Sequence, residues 1–146
     1  MDWDRWVFEK LAIAPIQRHH EASSKPQRQR YWALAAICRA NSSFVLHGRY
    51  DKAHGDHIHH DDSTRVDFAQ TRSTVTLAQA VLNDIFDATP QLAIDGDFGS
   101  KTKGALELAM QKVGLSSNFN DADQWVRFLR RSGRLGFRRS VGLPEG

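Results

Sequence analysis

The chain has 146 residues, 40% of them hydrophobic, which is enough for one ordinary domain or two very small ones with a buried core. Its single cysteine, Cys38, excludes an internal disulfide and a zinc site built from several thiolates, so any bound metal depends on histidine and carboxylate ligands. The net charge is +3 at pH 7, and no apolar run approaches the roughly 20 residues that a membrane-spanning helix needs. These limits favour a folded domain without a membrane span.

The first 40 residues predict two helices. Apolar residues recur at helical spacing from Trp3 to about Ile13, and Pro15 ends the pattern. A polar stretch with one proline follows, which predicts a loop or the entrance to the second helix. Trp32 and Ile37 lie beside the apolar stripe of that helix. The stripe consists of Tyr31, Leu34, Ala35 and Cys38.

The N-terminal sequence MDWDRWVFEKLAIAPIQRHH mixes acidic and basic residues into its apolar positions. A secretory signal peptide has a continuous apolar region of about 7–15 residues, which this pattern does not provide. We therefore expect a protein that is made in the cytoplasm and acts at the cell envelope only after lysis or dedicated secretion.

A short strand is predicted for SSFVLHG, and a histidine-rich segment follows it, HGRYDKAHGDHIHHDDS, with five of the seven histidines of the chain. In an extended chain His57 and His59 point to one face, while Asp56 points to the other. Imidazole and carboxylate groups are the ligands available for zinc here, and catalysis also needs a carboxylate to take the proton of the bound water. The segment therefore predicts a metal site, a fragment of one, or a solvated loop.

The next stretch, STRVDFAQTRS, is predicted as a linker or an edge strand, and helices return from Ser73. Ser73 or Thr74 is the predicted N-cap of the first of them. Its core face consists of Val75, Ala78, Leu82 and Ile85. A loop with Pro90 and a tight turn lead to the next helix, which Gly114 is predicted to cap at its C-terminus. The core face of that helix consists of Ala105, Leu106, Ala109 and Val113.

A last helix is predicted from about Asp121 to Arg131, with Asp121 or Asp123 near its positive N-terminal end. Its inward residues are Trp125, Phe128 and Leu129. Arginines crowd the C-terminal part of the chain: Arg127, Arg130, Arg131, Arg134, Arg138 and Arg139. Such a cluster can bind phosphates or an anionic wall polymer, or it can be a solubilising helix face with a frayed tail.

The turn DGDFGSKT has a mechanical explanation in its residue types. Gly96 and Gly99 permit backbone angles that other residues resist, and Ser100 can accept hydrogen bonds from the free N–H groups that open a helix. The Phe98 side chain is expected to pack in the core and so anchor the turn. The combination predicts a loop closed tightly onto the start of a helix.

This turn resembles the hallmark of the peptidoglycan-binding domain family, a three-helix module with an Asp-Gly-x-Phe/Trp-Gly-Pro-x-Thr turn between its first two helices. The matching residues are Asp95, Gly96, Phe98, Gly99 and Thr102. The matches in the preceding helix are Val75, Gln79, Leu82 and Asn83. Ser100, Ala78 and Ala109 depart from the pattern, and the resemblance covers about residues 73–132. It implies a three-helix bundle whose motif residues are chiefly structural, with peptidoglycan as the partner.

The run from Cys38 to Asp61 resembles the last part of the zinc D,D-peptidase superfamily, particularly its extensin-like C-terminal branch. The resemblance rests on a helix with a cysteine, the Phe44-Val45-Leu46 strand and the AHGDHIHHD segment. It implies Asp56 as the general base, His59 as a zinc ligand and His57 as an accessory histidine. The upstream motif that supplies the other two zinc ligands of the superfamily does not occur in this sequence.

Three interpretations of the histidine segment follow. It is a rearranged zinc site, a degenerate peptidase half that only binds wall peptides or a partner protein, or a solvated polar loop. The main ligand candidates for a rearranged zinc site are His59, His54 and Asp61. His57 and His47 are either accessory histidines or ligands themselves, and Asp51 is an alternative to Asp61.

We therefore expect an α+β protein that is mostly helical. Residues 1–70 form a peptidase-like but incomplete half, residues 73–132 a peptidoglycan-binding-like bundle and residues 133–146 a basic tail. The expected function is binding of the cell wall, with zinc-dependent cleavage of wall stem peptides or non-catalytic binding as the alternatives. Nucleic acid is a weaker expectation, because histidine-metal nucleases need a later Asn and His on a helix and no histidine follows His60.

Overall fold

The computed structural model describes residues 24–43, 45–49, 58–60 and 66–145. The described chain forms four helices and one two-stranded sheet. In chain order these are α1 (Lys25–Ala40), β1 (Val45–Leu46), β2 (His59–His60), α2 (Arg72–Asp84), α3 (Ser100–Lys112) and α4 (Ala122–Ser140). The expectation of a mostly helical α+β protein is confirmed at this level. The helix predicted between Trp3 and Ile13 lies outside the described residues.

Helix α1 begins in the stretch that was predicted as a loop or a helix entrance. Ser24 is its N-cap and forms a capping box, in which the Ser24 hydroxyl accepts from the Gln27 N–H and the Ser24 N–H donates to Gln27 Oε1 (2.9 Å). Pro26, in the first turn, needs no hydrogen-bond partner there. These residues explain why the helix begins at Lys25.

Two predicted N-caps are wrong. Thr71, not Ser73 or Thr74, caps α2, because its hydroxyl accepts from the Thr74 N–H at 3.3 Å. Gly99, not Ser100, is the N-cap of α3 and makes no side-chain capping bond. In both cases the predicted cap lies inside the helix, since α2 begins at Arg72 and α3 begins at Ser100 itself.

Gly114 caps the C-terminus of α3, as predicted. Gly114 has φ +78 and donates to the Gln111 carbonyl, and the N–H of Leu115 donates to the Met110 carbonyl. This pair of bonds is the Schellman arrangement, which needs a left-handed residue after the helix. The predicted core face of α3 holds for Leu106 and Ala109, while its other two members are half-buried.

Helix α4 is longer than predicted. Asp121 caps it through bonds from the N–H groups of Asp123 and Gln124. The helix continues through Ser140 instead of ending at Arg131, so most of the predicted basic tail is helical. Trp125, Phe128 and Leu129 are buried as predicted.

Helix α1 packs mainly against α4 and also against α2, so one hydrophobic core contains residues from both sides of residue 70. Two glycines of α4 allow the close approach: Gly133 faces Ile37 and Ala33, and Gly136 also faces Ala33. The predicted stripe of α1 holds in part. Its members Tyr31 and Ala35 are fully buried, whereas Leu34 and Cys38 are half-buried. Trp32, Ala33 and Ala36 are also fully buried, so the buried surface of α1 is wider than the predicted stripe.

The segment before α2 is more than a linker. Phe68 is buried and lies 5.0 Å, centroid to centroid, from Phe98 and from Phe119, and 4.8 Å from Trp125. Aromatic pairs at such distances stabilise a core beyond the area that they bury. Phe98 thus anchors the predicted turn to the core, as expected.

The sheet is short and antiparallel, with Val45 opposite His60 and Leu46 opposite His59. The predicted strand before the histidine segment is confirmed as β1. None of the helices in the described ranges combines the length and the apolar character that crossing a bilayer requires.

Candidate functional site

Gln79 on α2 holds the DGDFG turn through its amide group. The amide oxygen accepts the N–H groups of Asp95 (3.1 Å) and Gly96 (3.0 Å). The amide nitrogen donates to Asp95 Oδ1 (3.0 Å), the Asp97 carbonyl (3.1 Å) and Thr102 Oγ1 (3.1 Å). Gln79 is only 1% exposed, so these five bonds fix the turn against α2 and against the first turn of α3.

Asn83, one helical turn further along α2, holds the preceding loop in the same way. Its amide nitrogen donates to the Leu92 carbonyl and its oxygen accepts the Leu92 N–H, each at 2.8 Å. Both amides lie on the same side of α2 because residues four apart share a helix face. Gln79 and Asn83 thus have a structural role in this chain, because their amides order the connection between α2 and α3.

The carboxylate of Asp95 completes the turn. It accepts from the Asp97 N–H (2.9 Å) and from Gln79, and these bonds lower the pKa of Asp95 below its usual value. Because the folded-state pKa is depressed, the contribution of Asp95 to stability is present above its unfolded pKa and is lost as the pH falls through the folded value. Gly96 has φ +82 at this point, which favours glycine.

An apolar groove lies beside the turn, between the end of α2, the 86–92 loop and the exposed side of α3. Its volume is about 480 Å³, within the range of small-ligand sites. Phe86, Leu92, Ala105 and Leu108 supply apolar surface, and Lys101 and Lys112 stand among the lining residues as cations. Because Asn83 fixes Leu92, the same amide that orders the loop also shapes one wall of this groove.

His47 is fully buried and both of its ring nitrogens have hydrogen-bond partners. Nδ1 lies 3.2 Å from the Arg49 N–H, which places the ring proton on Nε2, and Nε2 lies 2.9 Å from the Ser73 carbonyl. The ring also lies 5.2 Å from the Trp32 ring, centroid to centroid, in a T-shaped arrangement. The predicted accessory histidine thus joins the end of β1 to the start of α2, and neither nitrogen is available to a metal in this arrangement.

The remaining candidates of the histidine segment are distributed as follows. His59, the proposed zinc ligand, is exposed on β2. His60 beside it shares a hydrogen bond with Ser42 (Nδ1 to Oγ, 3.1 Å). The other candidates lie outside the described residues: His54, Asp56, His57 and Asp61, together with Asp51.

Within the ranges that the structure describes, no three histidine, cysteine or acidic side chains converge as metal ligands. The zinc site stays a prediction, because most of its candidate ligands lie outside these ranges.

By contrast, all five motif residues of the turn are described and come together around Gln79. Asp95, Gly96 and Thr102 bond its amide directly, Phe98 anchors the turn in the aromatic core, and Gly99 opens α3.

The chain matches no family model, no curated protein and no solved structure.

The role of the buried Arg39 was not predicted from the sequence. Arg39 is 1% exposed, and its guanidinium donates to the carbonyls of Ser42 (2.7 Å) and Asp67 (2.6 Å) and to Thr74 Oγ1 (3.2 Å). These partners belong to three separate segments, so Arg39 joins the first half of the chain to the start of α2. A lone arginine in a helix gives no indication of such distant partners.

Proposed function

We propose that this protein binds peptidoglycan, and that residues 73–132, with α2, α3 and the first part of α4, work as the three-helix wall-binding module that the turn resembles. The observation that carries the proposal is the Gln79-centred turn with the apolar groove beside it. Five buried or half-buried hydrogen bonds order the turn, so the groove is formed before a ligand arrives. A preformed site loses less conformational entropy on binding.

The groove suits the stem peptide of the wall. Such a peptide carries small apolar side chains and free carboxylates, which complement the apolar lining with Leu92 and Leu108 and the cations Lys101 and Lys112. Apolar burial supplies affinity, and the lysines supply orientation by charge-assisted hydrogen bonds.

Replacement of Leu108 by aspartate is the direct test. Leu108 lines the groove and is 68% exposed, so the substitution leaves the core intact and places a carboxylate where the peptide carries its own. Retention on purified peptidoglycan sacculi, measured by co-sedimentation, is expected to fall by about tenfold, because the variant loses an apolar side chain that the bound peptide covers and adds charge repulsion.

Val141→Asp is the matched control. Val141 is 61% exposed and lies just after α4, outside the groove, so the same chemical change is expected to leave sedimentation unchanged. Equal retention of the wild-type protein and Leu108→Asp would contradict a role for the groove.

We further propose binding without hydrolysis. The protein is expected to sediment with sacculi without releasing soluble fragments, and to hold less than about a tenth of an equivalent of zinc after loading, since structural and catalytic sites of high affinity fill completely. Zinc content is measured on protein purified without a histidine tag. About one equivalent of zinc, with release of wall fragments that Asp56→Ala abolishes, would instead establish a working peptidase site.

A further inference from the structure

The exposed side of α4 carries a continuous stripe of arginines. Arg127, Arg131, Arg134 and Arg138 follow each other at intervals of four, three and four residues, which places them on one helix face. Along the axis the stripe is about 16 Å long, at about 1.5 Å per residue. Gly133 and Gly136 of α4 face α1, whereas Arg127, Arg131 and Arg134 are exposed and Arg138 is half-buried, so the stripe faces away from the core.

A second cleft lies at the C-terminal end of this stripe, against the end of α3. Its volume is about 380 Å³, and four cations line it: Lys112, Arg131, Arg134 and Arg138. The single acidic side chain in its lining, Glu145, bonds Arg139 Nε at 2.6 Å, so its charge is compensated. The cleft is therefore strongly positive.

Two of these guanidinium groups are held in place by backbone carbonyls. Arg131 Nη1 donates to the Val113 carbonyl and Arg138 Nε donates to the Pro144 carbonyl, each at 2.6 Å. The C-terminal segment is fixed in turn, because the Leu143 N–H donates to the Arg138 carbonyl after Gly142 (φ +71). Fixed guanidinium groups with remaining N–H donors favour binding of phosphate oxygens.

We propose that this cleft binds a phosphodiester-linked wall polymer, with a phosphate between Arg134 and Lys112 and the polymer continuing along the α4 stripe. Leu135 and Val113 give the cleft an apolar floor suited to the polyol or sugar between phosphates. Lys112 lines both this cleft and the apolar groove, so the polymer and the stem peptide lie side by side on one surface. The choice of a wall polymer rests on the proposed function.

Single-stranded nucleic acid is the competing polyanion, and the surface favours it less. Proteins that bind single strands combine cations with exposed aromatic rings on which bases stack. The large apolar side chains that the described residues expose are aliphatic: Leu108, Val141 and Leu143. A stripe without an aromatic platform suits a polymer without bases.

The test compares a cleft variant with a charge-matched control. Arg134→Gln removes a cation from the cleft and leaves Lys112, which also lines the groove, unchanged, and Arg130→Gln removes an arginine of α4 outside the cleft lining. Both side chains are exposed, and circular dichroism and thermal melting check that both variants fold. Binding to soluble poly(glycerol phosphate) and to single-stranded DNA of equal charge is measured at about 50 mM and about 200 mM salt.

The cleft variant is expected to bind poly(glycerol phosphate) about tenfold more weakly than the control, and the wild type is expected to prefer this polymer to DNA. Equal loss in both variants, or DNA binding as tight as polymer binding, would overturn the proposal. Sacculi stripped of phosphodiester polymer distinguish the proposal about the cleft from the proposed function. The cleft variant is expected to sediment with them as the wild type does if the groove binds peptide. If the wild type does not sediment with stripped sacculi, the groove hypothesis is contradicted, whereas the polymer-binding result for the cleft is unaffected.

Discussion

Gln79→Leu is expected to lower the free energy of unfolding by about 2–4 kcal/mol, a large part of the stability of a small domain. Leucine fills a similar volume but leaves the N–H groups of Asp95 and Gly96 without the oxygen that accepts them. An unsatisfied polar group costs more than the net value of the bond it loses. Urea denaturation with linear extrapolation measures the change.

Gln111→Leu provides the comparison for this substitution. Gln111 is exposed on α3 and its amide donates to the Ser117 hydroxyl (2.8 Å), so its replacement is expected to change stability by no more than about 0.5 kcal/mol. If Gln79→Leu costs no more than this control, the amide does not hold the turn. The turn leads into α3, which forms one wall of the groove. Gln79→Leu is therefore also expected to weaken retention on sacculi.

The turn itself was predictable from the sequence, but its organising residue was predictable only in part. The residue types of the turn indicate a tight loop before a helix, and the family pattern includes Gln79. The bonds of that amide reach residues 16–23 positions away, however, and no local pattern specifies such distant partners. The capping error at Ser100 has a related cause, since Gly99 and Ser100 are both acceptable N-caps by residue type.

His47 shows the limit of composition as a guide to chemistry. A histidine at the edge of a histidine-rich segment predicts a metal ligand or an accessory group, whereas the fold buries it against Trp32 and uses both ring nitrogens for structure. The difference arises from α2, whose Ser73 carbonyl lies 26 residues away in sequence. Local spacing contains no information about that contact.

The extent of α4 was underestimated because its second half contains residues that weaken helices. Gly133 and Gly136 each lower helix propensity by about 1 kcal/mol relative to alanine, so the pattern favoured an end near Arg131. Tertiary contact with α1 overrides this propensity. The glycines are needed where the two helices approach closely, and the sequence did not indicate that approach because α1 and α4 are far apart in the chain.

Gly136→Ala is therefore expected to destabilise the protein by about 1–3 kcal/mol, even though alanine favours an isolated helix. A Cβ at this position would lie 2.7 Å from Ile85 Cδ1, 3.0 Å from Ala33 Cβ and 3.1 Å from the Gln29 carbonyl oxygen. Ile85 can change its rotamer, but the Ala33 methyl and the Gln29 backbone cannot move without separating α1 from α4. Thermal and urea unfolding measure the effect.

Gly104→Ala is the matched control, because a Cβ at Gly104 of α3 meets no atom within 4 Å. There the gain in helix propensity acts alone, and stability is expected to rise by about 0.5–1 kcal/mol. The two glycine substitutions should thus change stability in opposite directions. A rise in both would contradict the close packing of α1 on α4, and with it the single core that joins the segment before residue 70 to the proposed wall-binding region. A fall in Gly136→Ala alone, in one cooperative transition, supports a wall-binding surface that depends on both halves of the chain for its stability.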